Sequence, residues 1–302
     1  MKGLPVEAAP VAIGDHRRWS KAAGDYLALT KPRLNSLVVI TSAGGYFLGT
    51  SGAPAVAPMA AAAVGTALVA GGASVLNQVY ERHTDALMKR TQLRPLPDGR
   101  IAPEEARTFG TLLAAAGIAL LGASANVLAA TLALATLIVY LTIYTPMKRR
   151  SPVATLVGAV PGALPPLIGW TAASGTLSIG GWSLFAIVFL WQIPHFMAIS
   201  WLYRDDYARA GFPMLSVVDA DGRRTGRHAL VYAAILVPTS LAPAMVGVAG
   251  TAYFWTALVL GIGLLWIAAR FASMRTEATA RALFYGSIIY LPLIWTAMLL
   301  DH

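Results

Sequence analysis

Apolar residues in this chain come in long unbroken runs, without the alternation of a half-buried strand or the one-sided stripe of a soluble amphipathic helix. Reading the runs between charged, proline or glycine breaks predicts nine helical spans, at about 34–50, 55–80, 106–122, 125–146, 153–173, 180–202, 228–248, 252–270 and 282–300. Each is near the length that crosses a hydrocarbon core of roughly 30 Å. The pattern specifies an all-α, polytopic membrane bundle. A short N-terminal segment, 1–30, precedes one transmembrane domain, 31–302.

Charge orients these spans. A cytoplasmic N-terminus makes 1–33, 81–105, 147–152, 203–227 and 270–281 the inner segments, and these, with Arg107 at the mouth of the third span, hold all 23 Lys and Arg. The outer connections near Ser51, Ala123, Ser174 and Gly250 hold none, as the positive-inside rule requires. The net charge of +9 therefore reports topology, and its spread over five segments argues against a nucleic-acid partner. Of the 14 acids only Asp301 falls on the outer side, so charged chemistry belongs to the inner face. The first thirty residues have no apolar run beside a small-residue cleavage site, so no removed signal peptide is expected, and a bacterial inner membrane is the expected location.

The absence of cysteine excludes disulfides, thiol nucleophiles, thiolate metal sites and haem attachment through Cys-x-x-Cys-His. Any metal must then bind oxygen or imidazole. The two longest inner loops follow the second and sixth spans, four spans apart, and both open with acids at a helix end. This spacing suggests two four-helix repeats and a ninth span.

The first acidic set is Asn77, Glu81 and Asp85, at i, i+4 and i+8. Four residues of helix rise about 6 Å and return almost to the same azimuth, so the three side chains share a face. Such oxygens suit a hard cation like Mg²⁺, which binds one or two carboxylates and fills its shell with water and substrate phosphate. The same residues would also serve as a solvated helix end neutralised by Arg82, Lys89 and Arg90. The second set is Tyr203, Arg204, Asp205, Asp206 and Tyr207, after the sixth span. Two facing sets of carboxylates could hold metal around one diphosphate. Lys89, Arg90 and Arg94 follow the first set, and Lys148, Arg149 and Arg150 end the fourth span. Arg90, Arg94 and Lys148 are the expected phosphate contacts, with Arg149 beside them and Arg150 an anchor.

His195 lies two turns inside the sixth span, where an ionisable group is a functional candidate. It touches a buried polar substrate, ligates a metal or bonds a neighbouring helix. Pro194 is expected to kink the helix beside it. Pro165 and Pro166 are expected to break the fifth span, as a cavity wall or as kinked packing. His83 sits between the two carboxylates without an assignable role.

Taken together, N-x-x-x-E-x-x-x-D at 77–85 with M-x-R-T-x-x-R-P-L after it, Y-T-P-x-K-R at 144–149, and the run from Trp191 to Leu215 resemble the protoheme IX farnesyltransferase branch of the UbiA superfamily of intramembrane prenyltransferases. The resemblance extends from about residue 30 to the end, and implies nine helices around a central cavity. It implies Mg²⁺ and an isoprenoid diphosphate at Asn77, Glu81 and Asp85 and at Asp205 and Asp206, facing the cytoplasm. It further implies farnesyl diphosphate and haem B as substrates in a lipid bilayer, with haem A synthase or a terminal oxidase downstream. Glu81 stands where many superfamily members carry Asp, and Tyr203 and Tyr207 stand where others carry a D-x-x-x-D pair. His83 replaces the acid usual in the haem branch. The rival expectations are prenylation of 4-hydroxybenzoate or another quinone precursor, and a non-enzymatic haem-binding assembly factor. A transporter would place charges at mid-membrane in broken helices, whereas these gather at one face.

Overall fold

A computed structural model describes residues 13–302, with side chains from residue 21 onward. The first twelve residues of the expected N-terminal segment and the side chains of Arg17 and Arg18 lie outside it. The described residues fold mostly into helices, with no strand among them. In chain order the helices are α1 (Ile13–Leu29), α2 (Pro32–Leu48), α3 (Val56–Asp85), α4 (Pro103–Ser124) and α5 (Val127–Ile138). A π-helical segment, Val139–Tyr144, carries α5 into α6 (Thr145–Met147), followed by α7 (Ala154–Ser174) and α8 (Ile179–Leu202). The short α9 (Arg204–Arg209) and α10 (Leu215–Val218) precede α11 (Arg223–Met245), α12 (Thr251–Met274) and α13 (Glu277–Leu300).

Eight of these stretches are long and apolar enough to cross a membrane: α3, α4, α5 through α6, α7, α8, α11, α12 and α13. The remaining expected span is α2, whose 17 residues make it shorter than any of the eight. The packing order repeats. In the first half α2 lies on α3, α3 on α4 and α4 on α5; in the second, α7 lies on α8, α8 on α11 and α11 on α12. The halves meet where α2 packs on α7, and α13 closes the second half against α12 and α8.

The α2–α7 seam shows how the halves come so close. A side chain at Gly45 would overlap the Pro166 carbonyl, and one at Gly169 would overlap the Ser42 carbonyl. Lipid offers no hydrophobic force to join helices, so close backbone approach through small residues supplies dispersion contact instead. The expected break at Pro165 and Pro166 does not occur: α7 runs unbroken from Ala154 to Ser174 with Pro161, Pro165 and Pro166 inside it. A proline removes one backbone donor and crowds the preceding turn. Here Pro161, Pro165 and Pro166 are all buried, and neighbouring helices hold α7 in place. Pro194 likewise sits within a continuous α8. At its C-terminal end α3 continues five residues past the predicted span to Asp85, which makes the first acidic set fully helical.

Candidate active site

Between α2, α3, the π segment, α7 and α8 lies a cavity of about 490 Å³. Its wall is divided by polarity. Lys31, Glu81, Asp85, Arg90, Arg94 and Lys148 supply its charged lining, while Val38, Val69, Ile168 and Phe196 supply apolar wall.

The polar end is built from two facing ladders. Asn77, Glu81 and Asp85 are all buried on α3 and all face the cavity, as four-residue helical spacing dictates. Opposite them Tyr140, Tyr144 and Lys148 repeat the same spacing along the π segment and the end of α6. The wider π turn is anchored by Thr145, whose hydroxyl donates to the Tyr140 carbonyl five residues earlier at 2.8 Å. Such segments recur at functional sites because they re-aim side chains within a helix. Cross-links tie the ladders together. The Asn77 amide donates to the Thr145 hydroxyl at 3.1 Å, and the Lys148 ammonium lies 2.9 Å from Glu81 Oε1 and 3.1 Å from Oε2. Only Oε2 receives a hydrogen bond with acceptable geometry; Oε1 is buried without one.

Cations surround this acidic core. Arg94 Nη1 pairs with Asp85 Oδ2 at 2.8 Å, and the Thr91 hydroxyl donates to the Asp85 carbonyl at 2.7 Å, holding the loop against the helix end. The Arg90 guanidinium lies over Tyr207 at 4.9 Å and over Tyr203 at 5.6 Å, a cation–π arrangement that joins the two long inner loops. Met88 packs with Ala210 and Phe212 beneath it. Lys31, which the loop arithmetic treats only as a topological charge, also lines the cavity. Its left-handed backbone, φ 51°, marks the sharp turn from α1 into α2, and Pro32 sits at the first turn of the new helix. Burial, reinforced by Arg94 and Lys148, pushes its ammonium down to about 7. The one sequence signal for it is the Lys-Pro pair at the mouth of a helix.

The structure does not bring every expected residue to this wall. Tyr207 lines the cavity, but Tyr203, Arg204, Asp205 and Asp206 do not. Asp206 is buried and pairs with Arg209 along α9, whereas Asp205 is exposed. Arg204 turns away, stacking over Trp201 at 4.7 Å and donating to its carbonyl. Arg149 is exposed and outside the lining, as is His83. His195 lines the cavity from α8.

The UbiA prenyltransferase family profile matches residues 37–293. The chain belongs to the UbiA prenyltransferase family. It is 46% identical over 287 residues to the protoheme IX farnesyltransferase of Solibacter usitatus, covering 92% of this chain and 98% of that one. Among solved structures, a digeranylgeranylglyceryl phosphate synthase superposes with a TM-score of 0.79 at 17% identity, covering 93% of this chain and 98% of its own. A UbiA homologue from Archaeoglobus fulgidus with bound GPP and Mg²⁺ superposes with a TM-score of 0.64 at 16% identity, covering 91% and 99%. Family and helices together make this a multi-pass membrane protein.

For a UbiA protein the inner wall also fits a divalent cation. Among the described residues no three of His, Asp and Glu converge closely enough to cage an ion. Two carboxylates and an amide suit instead a cation that keeps water and phosphate in its shell and shares the Glu81 carboxylate with Lys148.

Proposed function

We propose that this chain transfers the farnesyl group of farnesyl diphosphate to the 2-vinyl group of haem B, forming haem O. The observation that carries the reading is a cavity charged at one end and apolar within, in a chain that is 46% identical to a protoheme IX farnesyltransferase over nearly its whole length. The charged end suits a diphosphate and the apolar interior suits a farnesyl chain beside a porphyrin.

Asn77, Glu81 and Asp85 hold a divalent cation, Mg²⁺ by analogy with the bound state of the Archaeoglobus fulgidus homologue. When bound, that ion neutralises charge gathering on the departing diphosphate. Arg90, Arg94, Lys148 and Lys31 contact the diphosphate, with Arg94 and Lys148 shared between it and the carboxylates they already hold. Arg149, Tyr203, Arg204 and Tyr207 form the outer part of the site, where Arg90 already ties Tyr203 and Tyr207 to the opposite loop. Asp205 and Asp206 would supply the second acidic set, Asp206 now being paired with Arg209.

Preorganised cations aimed at a leaving group stabilise the transition state without reorganising as charge develops. The farnesyl C1–O bond breaks and its electron pair leaves with the diphosphate. The vinyl π pair then forms the new bond to farnesyl C1, and water adds to the resulting cationic carbon beside the porphyrin ring, releasing one proton to solvent. The apolar interior around Val38, Val69 and Ile168 keeps water from the farnesyl cation until the carbon–carbon bond has formed. We place the protein in a bacterial inner membrane with this site at the cytoplasmic side, passing haem O to haem A synthase or a terminal oxidase.

Purified protein incubated with haem B, farnesyl diphosphate and Mg²⁺ tests the reading by mass spectrometry. The expected product is haem O, with diphosphate released. Prenylated 4-hydroxybenzoate in its place, with haem unchanged, would overturn it.

A further inference from the structure

The imidazole of His195 is held more tightly than a packing role needs. It stacks with Trp191, ring centroids 5.0 Å apart and planes 20° from parallel, and with Phe284 at 5.2 Å and 24°. Its Nδ1 lies 2.8 Å from the Ser287 hydroxyl. That hydroxyl already donates to the Phe284 carbonyl at 2.7 Å, and a serine carries one hydroxyl proton. With its proton on that carbonyl Ser287 accepts from the ring, an arrangement that puts the ring proton on Nδ1. The clamp is itself braced, because Trp191 Nε1 donates to the Ser287 carbonyl at 2.7 Å.

With the ring stacked on two aromatics and Nδ1 bonded, Nε2 is the ring nitrogen left for the cavity that His195 lines. In this tautomer Nε2 carries a lone pair, and it has no hydrogen-bond partner among the described residues. A neutral imidazole whose other nitrogen donates to a fixed acceptor is the form in which histidine binds transition metals. The proton-transfer alternative is poorly served here, because Glu81 and Asp85 are already paired with Lys148 and Arg94.

We infer that His195 Nε2 is an axial ligand to the iron of the porphyrin substrate, an inference that rests on haem being the acceptor. One axial bond fixes the centre of the macrocycle relative to α8 at a set depth below the charged end. Rotation about that bond then remains to bring the reacting vinyl group to farnesyl C1. His195 would thus position the acceptor through its metal, while Ser287 sets the tautomer and aim of the ring.

The test compares haem B with metal-free protoporphyrin IX on the full chain in nanodiscs, reading affinity by titration and ligation by absorption and resonance Raman spectra. The wild type is expected to prefer haem by tenfold or more and to show a histidine-ligated iron. His195→Ala should lose both while protoporphyrin affinity is unchanged, and added imidazole should restore the ligated spectrum to His195→Gly. Ser287→Ala should weaken haem binding by about 10- to 100-fold, as loss of an orienting partner does, again sparing protoporphyrin. A wild type that binds both porphyrins equally would overturn the inference even if the variants fail to fold, and so would a ligated spectrum retained in His195→Ala. Haem O formed by the wild type in either case would leave the proposed function standing. A wild type that binds no haem and prenylates another acceptor would sink both.

Discussion

Glu81 and Lys148 form a pair whose structural and chemical roles can be separated by one double-mutant cycle. The two side chains are 8% and 17% exposed and 2.9 Å apart, so neither charge is well solvated. Glu81→Gln alone strands a buried ammonium, and Lys148→Met alone strands a buried carboxylate; breaking such a pair costs about 3–5 kcal/mol of stability. Removing both charges together is often neutral, because each loses its desolvation penalty along with its partner. Transition-state stabilisation behaves differently. Losing one preorganised electrostatic contact to a developing charge costs about 2.7–4 kcal/mol, or 10²–10³ in turnover, and nothing in the double variant returns it. The single variants should therefore be less stable and slow, and the double variant stable and still slow. Thermal unfolding in nanodiscs and haem O formation by mass spectrometry measure the two quantities on one preparation. A double variant that regains turnover to within tenfold of wild type would show the pair to be structural only.

Three further predictions follow from other parts of the molecule. Lys31, with its pKa lowered from 10.5 to about 7, binds fewer protons folded than unfolded between those values, so stability should rise with pH across that window. An anion bound beside it restores the proton, so pyrophosphate binding at pH 8 should take up protons and show a calorimetric enthalpy that varies with buffer ionisation heat; equal enthalpies, or a dependence that survives Lys31→Met, refute this. In the second acidic set, the buried Asp206 should matter more than the exposed Asp205, with Asp206→Asn slowing turnover about 100-fold and Asp205→Asn less than about tenfold; the reverse order of rates would reassign the metal contact. Gly169→Val drives a side chain into the Ser42 carbonyl and should lower stability by about 3 kcal/mol through forced separation of α2 from α7, a value that unfolding of the variant at wild-type temperature would contradict.

Much of the site was legible because it is local. Asn77, Glu81 and Asp85 share a face through helical periodicity, and α3 needed only to continue to Asp85 for that face to form. Charge arithmetic along the loops likewise placed the acids and cations at one end of the spans. Pro165 does line the cavity, but the expected break at Pro165 and Pro166 is absent because a local rule met packing: about two thirds of α7 is buried, and its neighbours hold the helix that these prolines would interrupt in isolation.

The sequence by itself determined which segments enter the membrane, which side carries charge and which residues line up along one helix, because each follows from the composition and period of a continuous stretch. Only the tertiary structure decided who faces whom. It set Tyr140, Tyr144 and Lys148 against the acidic ladder, brought Lys31 from a topological anchor to the cavity wall, left Asp205 and Asp206 on α9, and set His195 Nδ1 against the Ser287 hydroxyl, 92 residues away. Those relations join positions tens of residues apart, and the close approach of helices that creates them depends on three-dimensional packing that no local pattern encodes.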